Sequence, residues 1–103
     1  MMSDTPEKID EKTDALLSDF KARMKIFHSS EDDYLKSILE VSTAEILELC
    51  GEFDPSTYPR GKELIFERSR YAYNDQLEFF YPNFQESILN ISFDLMEGDC
   101  DGN

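Results

Sequence analysis

The sequence predicts an all-α fold: a small bundle of about four helices with flexible acidic N- and C-terminal tails. Three observations predict it. Residues 31–50 carry a clean apolar stripe at helical spacing, and residues 59–80 carry a second, broader one. No alternating apolar–polar run exceeds a few residues; ISFDL (91–95) is the one stretch that could pair as an edge strand. At 103 residues the chain makes one domain, expected over 13–95 between a flexible extension, 1–12, and a mobile acidic tail, 96–103.

The first ordered helix is expected from Thr13 or Asp14 to Lys25. Leu16, Leu17, Phe20, Met24 and Phe27 fall on one side of it, while Lys21 and Lys25 lie away from that side. The polar break HSSEDD follows. Ser30 and Asp33 have the spacing of a capping box, and Glu31, Asp32 and Asp33 put negative charge where a helix dipole favours it. The second helix, Glu31–Cys50, therefore starts there. Its residues Leu35, Ile38, Leu39, Ser42, Ile46, Leu49 and Cys50 share an arc of about 120°, the width of a core-facing stripe. Gly51 is expected to end it in the left-handed position.

The loop GEFDPSTYPRG has too many prolines and glycines for regular structure, with Phe53 and Tyr58 as its anchors. Pro59 suits the first turn of a third helix, which runs to Phe80 before Pro82 stops it. Asn83, with Glu86 three residues on, would cap a short fourth helix carrying Phe84, Ile88, Leu89 and Ile91. The expected core joins Leu35, Ile38, Leu39, Ile46 and Leu49 of the second helix to Phe66 of the third.

The third helix spreads its apolar residues over roughly 160°, wider than one face of a small bundle requires. Leu64, Ile65, Phe66, Ala72, Tyr73, Leu77, Phe79 and Phe80 fill the arc, with Ser69 and Gln76 inside it. Two readings fit: a central helix contacted on two sides by its own chain, or a helix that meets a neighbouring subunit. Monomers seldom leave large apolar patches open, and aromatic residues with arginines nearby are the composition of interface cores.

Charge bounds the partners. Ten Lys and Arg stand against 23 Asp and Glu, a net charge of −13, so the chain lacks the cations that displace counterions from a nucleic-acid backbone. The acidity fits a solvated surface, a passage that DNA crosses without sticking, or a surface that mimics DNA. No segment approaches the apolar length of a membrane span, and the acidic N-terminus is unlike a signal peptide, so the chain is expected to stay in the cytoplasm where it is made. Cys50 and Cys100 are expected to be reduced, one on a buried stripe and the other in a tail.

No catalytic, cofactor or metal site is predicted. His28 is the sole histidine and stands in a polar break, with no nucleophile in recognisable relation to it. Cys50 reads as a small core residue, and Cys100 has acidic neighbours that disfavour its thiolate. The EDD run lacks the spacing of a calcium loop, and no glycine-rich phosphate loop is present.

The order of elements resembles one family. A short helix, an acidic E-D-D start, a long helix rich in Ile and Leu, a proline-containing loop and an aromatic helix span Leu16 to Leu95. This is similar to the small head–tail connector (adaptor, or head-completion) proteins of tailed bacteriophages. The resemblance implies a structural virion protein at the neck, assembled in the host cytoplasm. It would form a dodecameric ring beneath the portal protein, complete the head after DNA packaging and give the stopper or tail-completion protein its platform. DNA would pass through the channel without specific binding, and no chemistry is involved. For such a ring subunit, Arg68, Arg70, Tyr73, Phe79, Phe80 and Tyr81 are the expected interface residues on one surface, with Tyr34 and Val41 on an opposing one. The acidic extension before the pattern and the acidic tail after it depart from the family's outline. An alternative from another class is a small acidic inhibitor that mimics DNA, and a third is a subunit of a bacterial regulatory complex. Mass in solution separates the first two: a mimic stays a monomer or dimer that binds a DNA enzyme, whereas a connector is monomeric or weakly associated alone and forms rings on a portal.

Overall fold

The computed structural model describes the backbone of residues 4–101 and the side chains of residues 13–96. It contains four helices: α1 (Asp4–Met24), α2 (Asp32–Cys50), α3 (Pro59–Tyr73) and α4 (Leu77–Asp101). No strand occurs among the described residues, and ISFDL is helical, within α4.

Side-chain pairs set the directions of the helices. Lys21 meets Asp32 while Lys36 meets Asp14, so α1 and α2 are antiparallel. Tyr73 reaches Glu31 while Arg68 reaches Ser42, so α2 and α3 are antiparallel too. Asn83 meets Tyr71 while Asp94 meets Tyr58, which reverses α4 against α3. The result is an up-down-up-down bundle in which α2 packs against all three other helices.

Apolar burial holds it together. Phe20 of α1, Leu35, Leu39 and Ile46 of α2, Ile65 of α3 and Phe80 of α4 are fully buried, and Phe66 is nearly so. Each such side chain contributes about 1.5–3 kcal/mol by leaving water. Five of the six expected core residues, Leu35, Ile38, Leu39, Ile46 and Phe66, are buried. Leu49 is not: in the last turn of α2 the buried positions are Ile46 and Cys50, and Leu49 is 41% exposed. The Cys50 thiol approaches the Ile88 carbonyl at 3.8 Å, and burial pushes its pKa up, as suits an inert core residue.

Helix ends are where expectation and structure part. α1 begins at Asp4, earlier than Thr13, and α4 continues to Asp101, past the expected end near Leu95. Of the ends expected to be flexible, 4–12 and 96–101 have helical backbone, and 1–3 and 102–103 lie outside the described residues. The Ser30 capping box does not form. Ser30 Oγ lies 2.8 Å from His28 Nδ1, and the residue before α2, Glu31, makes no side-chain cap bond. The nearby acids serve tertiary contacts instead: Asp32 accepts from Lys21 at 2.6 Å and Glu31 from Tyr73 at 2.8 Å.

The break expected at Pro82 occurs at Asn74–Gln76. Asp75 takes a left-handed φ of 60°, and the bonds Gln76 N–H to Tyr71 C=O and Asp75 N–H to Ala72 C=O form a Schellman motif. Asparagine and aspartate tolerate that conformation better than most residues, so the N-D pair turns the chain. Pro82 then lies inside α4 on an exposed side, where water can solvate the Glu78 carbonyl that it leaves without a donor. Asn83 donates to Tyr71 Oη at 3.1 Å rather than capping a helix.

A second Schellman motif closes α1 at Lys25, φ 60°, with Ile26 N–H bonded to Lys21 C=O. The helical register ends there, so Phe27 leaves the apolar side of α1 and is 87% exposed. Gly51 ends α2 as expected, but not in the left-handed helical conformation. Its φ of 117° and ψ of 169° belong to a region that is essentially glycine's own.

Candidate assembly surfaces

The loop between α2 and α3 positions the first surface. Asp54 Oδ1 accepts from the Ser56 N–H at 3.0 Å and from the Ser56 hydroxyl at 2.8 Å, a local turn that aspartate favours. Phe53 and Tyr58 pack ring to ring at 5.4 Å, the anchoring role expected of them. The Phe53 ring lies so close to the first turn of α3 that a Cβ at Gly61 would overlap it. Phe53 thereby becomes one wall of a groove of about 740 Å³. Leu16 of α1, Ala44 and Leu47 of α2, and Pro55 of the loop complete its apolar lining, with Glu40 and Glu52 at the same opening. The Thr43 hydroxyl, also in the lining, is spent on the Leu39 carbonyl at 2.7 Å. Sequence reading missed this groove, because its residues come from three elements with no shared spacing.

The second region is the seam of α2, α3 and α4. Arg68 is only 8% exposed; its Nε donates to Tyr81 Oη at 3.0 Å and its Nη1 to Ser42 Oγ at 3.1 Å. One arginine thus ties three helices, and among the described residues no carboxylate pairs with it. Phe80 is fully buried, stacked on Phe84 at 5.0 Å and edge-on to Tyr81 at 5.0 Å and Tyr71 at 5.8 Å. Such ring pairs add to the energy of burial. Arg68 and Phe80, expected at a subunit interface, therefore belong to the interior of the chain. Of the two readings of the wide arc, contact on two sides by its own chain accounts for most of it: α3 packs between α2 and α4.

The remaining candidates reach the surface in different ways. Tyr34, Val41 and Phe79 are each more than half exposed. Arg70 is exposed, bonded to Glu67 at 2.7 Å and placed over the Tyr71 ring at 5.4 Å. Tyr81 is half-buried and carries the Arg68 bond on its hydroxyl. Tyr73 is half-buried with its hydroxyl on Glu31, a bond that holds its pKa up. Its ring stands 6.5 Å from Tyr34. Tyr34 and Tyr73 were expected on opposing faces; the antiparallel packing of α2 and α3 brings them to one.

An apolar stripe on α4 escaped notice. Leu89, Phe93 and Met96 are exposed at i, i+4 and i+7, a spacing complete only once the helix is known to run past Leu95.

The electrostatics are one-sided. Lys21, Arg23, Lys36, Arg60, Lys62 and Arg70 each sit within 4 Å of a carboxylate. The bidentate bond from Arg23, at 2.7 and 2.9 Å, holds the Glu63 carboxyl below the usual range. Among the described residues no group of three or more His, Cys, Asp or Glu is placed to hold a metal ion, and no helix is long and apolar enough to cross a membrane.

No curated protein and no solved structure matches the chain. The model of one protein family does, described as phage gp6-like head–tail connector protein, over residues 14–94. That span takes in α2, α3, the loop between them and most of α1 and α4. The chain thus belongs to the head–tail connector family, structural proteins of the phage head–tail junction.

Proposed function

We propose that the chain assembles as a dodecameric ring beneath the portal protein, completes the head after DNA packaging and gives the stopper or tail-completion protein its platform. The observation that carries this reading is electrostatic. The net charge is −13, and six described basic side chains are already spent on carboxylates, so the surface repels a passing duplex instead of gripping it. A channel subunit needs that property.

Contacts between subunits fall to the side chains that the fold leaves outside: Tyr34, Val41, Phe79 and Arg70, with the exposed edges of Tyr73 and Tyr81. Arg68 and Phe80 support that surface from beneath. A head-to-tail contact between like subunits closes a ring. Repulsion between acidic copies delays closure until the portal template gathers them, so assembly in the host cytoplasm waits for a packaged head and improves with salt. The ends, 1–12 and 96–103, dock on the portal above or the stopper below.

Sedimentation tests this reading. Alone, the chain is expected to run as a monomer or weak oligomer; with purified portal rings it cosediments, and in a gel shift it leaves duplex DNA unmoved. Arg70→Glu should fold normally and lose portal cosedimentation. Salt-sensitive DNA binding would overturn the channel argument. Tight capture of a DNA-processing enzyme by a monomer would favour the DNA-mimic alternative.

A further inference from the structure

We infer that the groove between α1, α2 and the 51–58 loop is a docking site for a segment of another protein that carries apolar anchors flanked by lysine or arginine. The inference does not depend on ring formation and survives the loss of that reading.

Two features define the occupant. The lining is apolar: Leu16, Ala44, Leu47, Phe53 and Pro55 enclose about 740 Å³, a volume suited to a few side chains of a bound segment. Phe53 is held in the wall by its contact with Gly61 and its ring contact with Tyr58, so the groove is preformed. The charge at the opening is negative. Glu40 and Glu52 line it, and among the described residues neither makes an ion pair.

The fold disfavours the acid at Glu52. Glu48 stands in the last turn of α2 and Glu52 just beyond it, where the helix dipole disfavours negative charge, and that last turn holds no basic residue. Six acids elsewhere, Asp14, Asp19, Asp32, Glu63, Glu67 and Asp94, each have a cation. Glu40 and Glu52, with Asp54 beside them in the lining, make the groove acidic, and a partner of the opposite sign complements it. A second copy of this acidic chain is a poor occupant, because like charges would meet at the opening.

The test uses the full chain, labelled with ¹⁵N, and a synthetic amphipathic peptide of leucine and lysine only, with its leucines at helical spacing. Saturable shifts are expected at Leu16, Ala44, Leu47 and Phe53, with a Kd on the order of micromolar that weakens as salt rises. Ala44→Lys places a cation in the groove at an exposed helical position. It should keep the fold and weaken binding at least about tenfold. Glu40→Gln with Glu52→Gln should weaken binding about three- to tenfold and flatten the salt dependence. Several results would overturn the inference: no shifts, shifts centred on Leu89, Phe93 and Met96, or equal binding by a lysine-only peptide or by the leucine–glutamate counterpart. The same groove shifts produced by raising protein concentration without peptide would assign it to a second copy, and would also overturn the inference.

Discussion

The seam of α2, α3 and α4 and the groove beside α1 are assembled from apolar and charged residues in opposite ways. At the seam, rings and charge close on one another: Phe80 against Phe84 and Tyr71, Arg68 onto Tyr81 and Ser42. At the groove, Leu47, Phe53 and Pro55 line open space, and Glu40 and Glu52 have no cation among the described residues. A chain this small buries only about 60–68% of its unfolded surface, so its aromatic residues go first to cohesion. Aromatic density therefore marks where the subunit holds itself together. Unbalanced charge beside open apolar surface marks where it meets something else.

The sharpest way to break this comparison uses two adjacent phenylalanines. Phe80→Ala should cost about 3–5 kcal/mol in urea unfolding. Phe79→Ala, at a residue 53% exposed, should change stability by less than about 0.5 kcal/mol while weakening assembly. Equal costs would erase the distinction between interior seam and surface. Leu39→Ala, at the buried centre of α2, should cost about 2–5 kcal/mol, and a cost below about 1 kcal/mol would mean that the core is misplaced.

Gly61→Ala comes next. The new methyl displaces the Phe53 ring, which should cost about 1–3 kcal/mol and open the groove wall, visible as shifted Phe53 ring resonances. An unchanged Phe53 environment would show that the wall is not set by this contact.

A smaller effect separates surface ion pairs from the core. The Glu63 pKa is lowered by Arg23, so the pair stabilises the fold above the usual carboxylate pKa and loses that contribution as pH falls through the lowered one. Both side chains are well exposed, at 40% and 55%, and solvent screening limits the gain to less than about 1 kcal/mol. Glu63→Gln should thus be slightly less stable than wild type at neutral pH and equal to it in acid. A difference that grows on acidification would contradict the assignment. One effect runs the other way: Asp75→Gly relieves a left-handed φ in a non-glycine residue and should raise stability by about 0.5–1 kcal/mol.

Where local pattern and tertiary packing agree, the fold could be read from the residues. The α2 stripe of Leu35, Ile38, Leu39, Ser42, Ile46 and Cys50 is buried as its spacing implies, and Pro59 opens α3. Failures cluster where a local rule met a competing contact. The Ser30 cap lost to His28, and the proline stop at Pro82 lost to the turn at Asn74–Asp75. That shift gave α4 an earlier start, and its run past Leu95 brought Leu89, Phe93 and Met96 into one exposed stripe. The surface was the least legible. Exposure at Tyr34, Val41 and Phe79 and enclosure at Arg68 and Phe80 depend on which helix lies across each residue, and no spacing in one helix encodes that. The groove needed three elements at once.

Electron microscopy of purified portal rings mixed with the chain most directly tests the claim that this protein works as a ring subunit through its outward residues. Wild type should add a coaxial ring of density to one end of the portal, and Phe80→Leu, which keeps the interior apolar, should do the same. Tyr34→Glu with Val41→Glu, which leaves the interior untouched, should give bare portals. Bare portals with wild type, or full decoration by the double variant, would contradict the account.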